Sequence, residues 1–384
     1  MIKKTPYHSF ARGSLAKGCR LCVQGKKMVL FVTGICDRGC FYCPLSDNKR
    51  GRDILIANEW DTGFAGGKVS REQLAILFKE AELTDAKGAG ITGGDPLLVN
   101  ERTVCLIKAL KKRFGAKFHV HLYTSLRHVT LPKLSALAKA GLDEIRFHPV
   151  IWGDPHLDRI LLAKKFSWDI GVEIPAIPDY EKQTRLIMDW LDGKVSFLNL
   201  NELEVSDTNA QHLAGRGFHT KSQLSYGIKG SQELALRLMR YAERKKHRYA
   251  IHYCTCTLKD AVQMASRLKR RAKNAALPTD KVTKEGMLVR GVVYLKQLQP
   301  GFGYRKRLKA MTKPQRQETI RRLEAAQPGL GFASAIDDFK LRLLAAEKDV
   351  REHAAALKKK GLIPAVVEEY PTHDGMEVQI DFLH

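Results

Sequence analysis

From Met28 the chain alternates short apolar runs with stretches whose apolar residues recur at helical spacing. Met28-Val29-Leu30-Phe31-Val32 reads as a buried strand, and Gly88–Thr92 as a second, short and glycine-rich. Phe118–Tyr123, Glu144–His148, Ile170–Ile174 and Ser196–Leu200 continue the series, with Tyr249–Tyr253 a candidate seventh. Helical patterns fall between them over Ser70–Ala81, Asn100–Phe114, Leu131–Ala140 and Gln232–Lys245. Ser70 is placed to cap its helix, and Gln73 to complete a capping box. Strand, helix, strand at this spacing predicts repeated βαβ units, hence an α/β fold with a parallel sheet or partial barrel. Functional side chains then belong on the loops leaving the C-terminal ends of the strands.

Beyond about Thr257 the pattern changes. A helix-like stretch runs to about Ala276, a strand follows over Leu288–Leu295, and Gln299-Pro300-Gly301-Phe302-Gly303 breaks the chain. Phe339, Leu343, Ala346, Val350, Ala354 and Leu357 form an apolar stripe at helical spacing, stopped by Gly361. Ala365–Tyr370 and Met376–Phe382 read as two strands joined through Asp374-Gly375, a hairpin signal. The expected division is an N-terminal segment with a cysteine knuckle (1–27), an α/β domain (28–256) and a small basic α+β domain (257–384).

Composition narrows the class. With 384 residues, 44% of them hydrophobic, the chain can bury a proper core and is not disordered. No apolar run approaches the ~18–20 residues of a membrane span. Met1-Ile2-Lys3-Lys4-Thr5-Pro6 lacks the apolar stretch of a secretory signal, so a cytoplasmic protein without a membrane partner is expected. Eight cysteines are far too few for a disulfide scaffold; clustered in such a protein, they suggest metal ligands.

Cys36, Cys40 and Cys43 make C-x3-C-x2-C directly after the first strand. Three thiolates in one short loop can close around one metal centre, and Gly34 and Gly39 give that loop backbone freedom. An iron–sulfur cube normally takes four cysteines; three leave one iron open to a small molecule. A zinc knuckle would bring C-x2–4-C pairs with a second pair elsewhere. Cys36-Asp37-Arg38-Gly39-Cys40-Phe41-Tyr42-Cys43 resembles the signature loop of the radical S-adenosylmethionine (SAM) superfamily, including the aromatic just before the last cysteine. Gly93-Gly94-Asp95-Pro96, after the second strand, resembles that superfamily's Gly-Gly-Glu motif, with Asp in place of Glu. The resemblance covers about residues 28–205 and is greatest to archaeal proteins related to pyruvate formate-lyase activating enzymes.

That resemblance implies a partial (β/α)6-type TIM barrel, a [4Fe–4S] cluster on Cys36, Cys40 and Cys43, and SAM chelated to the open iron. It also implies reductive cleavage of SAM to a 5′-deoxyadenosyl radical, fed by an electron donor such as ferredoxin or flavodoxin. Gly93, Gly94 and Asp95 would line the methionine end of SAM, with Asp95 taking the ammonium. Tyr42 would meet the adenine through its backbone, and Thr124 and Ser125 the ribose or carboxylate. Arg146 and His148 alternate onto one strand face, the face a barrel would enclose.

Cys19 and Cys22 form a second C-x2-C, and Cys254 and Cys256 a C-x-C at the end of the candidate seventh strand. Together they offer four thiolates, enough for a tetrahedral zinc or a second iron–sulfur cluster. Cys105, in a helix-like run, reads as an inert buried thiol.

Lys and Arg total 65 against 41 Asp and Glu, a net +24 that favours a polyanionic partner. Residues 261–322 hold 17 Lys/Arg and 3 Asp/Glu, a net +14. Arg267, Arg270 and Arg271 share one helical face, and Phe302 and Tyr304 stand beside Arg305-Lys306-Arg307 and Lys309, ready to stack on bases. The leading expectation is a radical SAM enzyme that modifies tRNA or rRNA. The alternative is a protein-modifying radical SAM enzyme, either a glycyl-radical activase or a peptide modifier with an auxiliary cluster.

Overall fold

Alternation of apolar strands and amphipathic helices folds the first part of the chain into one long sheet backed by helices. The computed structural model describes all 384 residues, in two units, Met1–Arg267 and Leu268–His384. In the first, β1 (Lys3–Lys4), β2 (Phe10–Arg12), α1 (Lys17–Val23) and β3 (Lys27–Phe31) lead to the short hairpin β4 (Ile56–Ala57) and β5 (Trp60–Asp61). There follow α2 (Arg71–Leu83), β6 (Gly88–Thr92), α3 (Asn100–Phe114), β7 (His119–Ser125), α4 (Leu131–Ala140) and β8 (Glu144–His148). The unit continues through β9 (Asp169–Ala176), α5 (Glu181–Leu191), β10 (Phe197–Glu202), α6 (Ala210–Ala214), α7 (Ser231–Arg244) and β11 (Ala250–Cys254).

The strand order is β1-β2-β11-β10-β9-β8-β7-β6-β3-β4-β5. From β3 to β11 all seven neighbours run parallel, so the candidate seventh strand is real and extends the six-strand repeat by one. Antiparallel β2 and β4 flank this run, and β1 and β5 end the sheet without closing it, giving an open, partial barrel. Ser70 caps α2 and Gln73 returns the bond, the capping box read from sequence. Gly141, at φ +97°, ends α4 in the left-handed conformation that favours glycine.

The N-terminal segment differs from a knuckle. Cys19 and Cys22 lie on α1, three residues apart on one helical face, and β1 and β2 extend the sheet. Gly25, at φ +63°, turns the chain from α1 directly into β3.

The helix α8 (Ala265–Ala275) crosses the divide between the units. The second unit contains β12 (Lys281–Val282), β13 (Leu288–Leu295), α9 (Tyr304–Ala310), α10 (Lys313–Ala326) and β14 (Ser334–Asp337). It ends with β15 (Arg342–Ala345), α11 (Glu347–Glu352), α12 (Ala354–Lys359), β16 (Leu362–Glu369) and β17 (Glu377–Phe382). Its antiparallel sheet is ordered β14-β15-β13-β16-β17, with β12 also on β13. The stripe beginning at Phe339 is not one helix. Arg342–Ala345 is a strand between β14 and β13, buried on both faces, so Leu343-Leu344-Ala345 lacks the alternation that marks a half-buried strand. The arginine face on α8 is also not a solvent stripe: Arg267 and Arg271 are buried, and Arg267 pairs with Glu59.

Candidate cluster and cofactor site

The cysteine loop leaves β3 where the parallel ladder ends, with Val32 N still donating to Thr92 O at 2.9 Å. Gly34 is required here: a Cβ would lie 1.7 Å from Lys49 O, on a segment whose backbone is tied to Gly34 in both directions. Gly39 meets nothing within 4 Å, so its part of the loop is open. Cys36 is exposed, Cys40 and Cys43 are half-buried, and all three thiols are free. Cys36 Sγ accepts one weak bond, from Arg38 N at 3.4 Å. Desolvation, with Asp95 and Cys40 nearby, pushes the Cys36 thiol up to about 11, and burial raises that of Cys40. Protonated thiols ligate poorly; a cationic metal centre would convert them to thiolates. Three free sulfurs on one open loop fit a cluster with a vacant iron.

The glycine-rich loop after β6 docks on the cysteine loop through backbone. Gly94 N donates to Thr33 O at 2.7 Å and Asp95 N to Ile35 O at 2.9 Å. A Cβ at Gly93 would lie 2.2 Å from Thr33 O, and one at Gly94 2.1 Å from Ile35 O and 3.0 Å from Cys36 Cβ. The absent side chains are what let the two loops touch. Asp95 is fully buried, and its carboxylate accepts from Thr124 Oγ1 at 2.7 Å, Ser125 Oγ at 2.5 Å and Leu97 N at 3.0 Å. The structure thus joins Asp95, Thr124 and Ser125 into one cluster beside Cys36.

Tyr42 is buried, and its hydroxyl meets His148 Nε2 at 2.9 Å. His148 Nδ1 lies 2.8 Å from Glu173 O; a carbonyl only accepts, so Nδ1 carries the proton and Tyr42 donates to Nε2. The Tyr42 carbonyl accepts from Asn209 Nδ2 at 3.2 Å. Phe41 stacks on Trp152, with ring centroids 5.9 Å apart, and Arg216 lies over its ring at 4.1 Å.

Arg146 does face inward, as its strand alternation implies, and belongs to a polar interior that sequence reasoning missed. It donates to Glu144 at 2.6 Å, to Glu173 at 2.8 Å and to Tyr123 at 2.9 Å. Asn199 and Asn201 also donate to Glu173, and Lys27 lies against His121. The available signal was polar residues at every second strand position: His119, His121 and Tyr123, then Glu144, Arg146 and His148, then Asn199 and Asn201. Burial lowers Lys27 to about 8 and His119 to about 4. His119, His121 and Glu144 bring ligand atoms within 4.8 Å of one another. Lys27 on His121 and Arg146 on Glu144 already supply the positive charge a metal ion would bring.

Helix α1 projects Cys19 into this interior, where its sulfur accepts from Arg146 and Asn199, each at 3.4 Å. Burial raises the thiols of Cys22 and Cys254. Cys256 instead turns to Glu204, its Sγ donating at 3.6 Å. Two of the four second-set sulfurs thus have separate partners, Cys19 with Arg146 and Asn199 and Cys256 with Glu204.

The sequence profile of the Radical SAM superfamily matches residues 30–161. A Methanocaldococcus jannaschii protein named "Putative glycyl-radical enzyme activating enzyme MJ0021" is 43% identical over 288 residues, 73% of each chain. Among solved structures, methylornithine synthase is 14% identical, with a TM-score of 0.38 over 56% of this chain and 62% of that one. Coproporphyrinogen III oxidase of Escherichia coli is 11% identical, with a TM-score of 0.37 over 60% of this chain and 56% of that one. The chain thus spans less than two thirds of either solved structure. No helix is long and apolar enough to cross a membrane.

Proposed function

The chain belongs to the radical SAM superfamily, enzymes that use a [4Fe–4S] cluster and SAM, and on that premise we propose that it removes a hydrogen atom from a polypeptide substrate. Cys36, Cys40 and Cys43 would hold the cluster, and SAM would lie against the Gly93–Asp95 loop. The chemistry such a cluster would supply is one-electron reduction of the SAM sulfonium, to methionine and a 5′-deoxyadenosyl radical. Asp95 is fully buried with its oxygens on Thr124, Ser125 and Leu97 N, so in place of the expected direct hold on the ammonium it has a positioning role. It draws the hydroxyl protons of Thr124 and Ser125 onto itself, which turns their oxygen lone pairs outward as acceptors for the ammonium or ribose hydroxyls of SAM. The Tyr42–His148 bond fixes the aromatic next to Cys43, and Asn209 holds the Tyr42 carbonyl, the backbone that would meet the adenine. A ferredoxin- or flavodoxin-type protein would deliver the electron.

The observation that carries the polypeptide reading is the name of the 43% identical relative, which describes activation of a glycyl-radical enzyme. It displaces the expectation of an RNA substrate as the leading reading. An RNA substrate stands second, favoured by the net +14 of residues 261–322. Cys19, Cys22 and Cys254 are proposed as a second metal site, zinc or iron–sulfur, which Cys256 could complete only by releasing Glu204.

Anaerobically reconstituted protein, reduced and given SAM, should release 5′-deoxyadenosine and leave an organic radical on a partner polypeptide, detected by electron paramagnetic resonance. No 5′-deoxyadenosine would overturn the reading. Cleavage of SAM with no polypeptide radical, together with a nucleoside missing from RNA of a deletion strain, would transfer it to RNA.

A further inference from the structure

The second unit contains a cavity of about 430 Å³ that the proposed chemistry does not use, with Arg305, Leu308, Lys309, Arg316 and Phe339 in its wall. Its charges divide into two kinds. Lys340 and Arg305 are matched: Glu377 takes Lys340 at 2.6 Å and Arg305 at 2.6 Å, while Glu369 takes Lys340 at 3.0 Å. Arg316 is different. Its guanidinium donates only to neutral carbonyls, Leu308 O at 3.3 Å, Asp338 O at 2.7 Å and Phe339 O at 2.8 Å. These bonds fix its orientation and leave its charge uncancelled. Lys309, one turn along α9 from Arg305, has no carboxylate partner. The other wall carboxylate, Asp374, accepts only from the neutral Thr372 Oγ1 at 2.7 Å, so one negative charge stands in the wall against these two cations.

Two exposed aromatic side chains belong to the same unit. Phe339, in the cavity wall, packs on His373 with ring centroids 5.1 Å apart and is still 46% exposed, and Phe302 is fully exposed just ahead of α9. Gly303, at φ +76°, sets that turn, and Arg307 holds the Phe302 carbonyl at 2.9 Å, so the ring is presented on a constrained backbone. Tyr304 is excluded as a stacking face, because it is buried with its hydroxyl on Lys340 O at 3.0 Å.

We propose that this cavity and its rim bind single-stranded RNA, with phosphates on Arg316 and Lys309 and bases on Phe339 and Phe302. Two cations without a carboxylate partner and two exposed rings suit an unpaired strand, which presents both phosphates and base faces. A duplex hides its base faces, which leaves nothing for a fully exposed phenylalanine to cover. An acidic polypeptide would satisfy the charge but not the rings. The net +14 of residues 261–322 supplies the long-range attraction. The inference does not depend on the polypeptide reading, since a radical enzyme for either substrate can carry an RNA-binding unit.

Fluorescence anisotropy of the full-length protein with a labelled single-stranded RNA of about 12 nucleotides tests it, and requires neither cluster nor SAM. Phe302→Ala and Phe339→Ala should each weaken binding on the order of tenfold with an unchanged salt slope. Lys309→Ala should lower the slope of log affinity against log salt by about one. Phe302→Ala should leave SAM cleavage unaltered, separating this site from the cluster. Absent or salt-independent binding would overturn the proposal. So would full affinity in both phenylalanine variants, or equal displacement by polyglutamate at matched charge, which would mark an acidic-protein surface.

Discussion

Asp95 and Ser125 are joined by a 2.5 Å hydrogen bond that crosses from the loop after β6 to the end of β7. Thr124 adds a second at 2.7 Å, and the shared carboxylate is fully buried. The loop that touches the cysteines and the C-terminal end of β7 are therefore one mechanical unit. The shorter carboxylate suits this geometry, because its reach ends on Thr124, Ser125 and the Leu97 amide.

Asp95→Ala should destabilise the first unit by about 2–4 kcal/mol, since two hydroxyls and an amide lose their acceptor. Asp95→Glu should also cost about 1–3 kcal/mol, because an added methylene has no space at a fully buried site. Urea denaturation reads both, and calorimetric SAM titration should show weaker binding in each. A fully stable Asp95→Glu with wild-type SAM affinity would contradict the positioning role.

Gly94→Ala should reduce iron loading while leaving the far-ultraviolet circular dichroism spectrum intact. Its Cβ would press on Ile35 O at 2.1 Å and Cys36 Cβ at 3.0 Å, displacing the cysteine loop. Gly39→Ala, where a Cβ meets nothing within 4 Å, is the matched control and should load iron normally. Equal iron content in the two variants would show that loop contact does not govern cluster assembly.

Arg146→Met should be among the most destabilising single changes in the first unit, costing about 3–5 kcal/mol. It leaves Glu144 and Glu173 as buried carboxylates without their common cation. Because the pair is shielded from solvent, the loss should persist in high salt. Denaturant midpoints at low and high ionic strength make the comparison, and a salt-sensitive loss would argue for a surface role.

The stability of the second unit should fall with acid through Glu377. Burial opposes its charge, but hydrogen bonds from Lys340 and Arg305 hold its carboxyl down at about 2, against 4.5 ordinarily. A depressed carboxyl stabilises the fold fully above its unfolded value and loses that contribution as pH falls toward the folded one. The decline should lie between about pH 4.5 and 2 and be absent from Glu377→Gln, as followed by thermal melting. A wild-type acid profile in that variant would assign the loss to other carboxylates.

Much of the architecture was legible in the chain because its signals are local. Asn100–Phe114, Leu131–Ala140 and Leu288–Leu295 have the limits their periodicity gives, and the Ser70 capping box is formed. The three-cysteine loop was equally legible, since its three thiols lie within one eight-residue stretch of chain. Periodicity failed at Arg342–Ala345, where a strand buried on both faces carries no alternation. It also misjudged the arginines of α8, because a helix face does not reveal whether water or Glu59 lies opposite.

The sequence by itself determined the strand–helix repeat, the thiol triplet and the glycines that allow two loops to meet. Only the tertiary structure decided that Asp95 serves Thr124 and Ser125, that Arg146 sits between two carboxylates, and that Cys256 meets Glu204. Periodicity and motif spacing act over a few residues and are written in local order. Partnerships of buried charges and thiols depend on which strands become neighbours, and that is settled only when the sheet assembles.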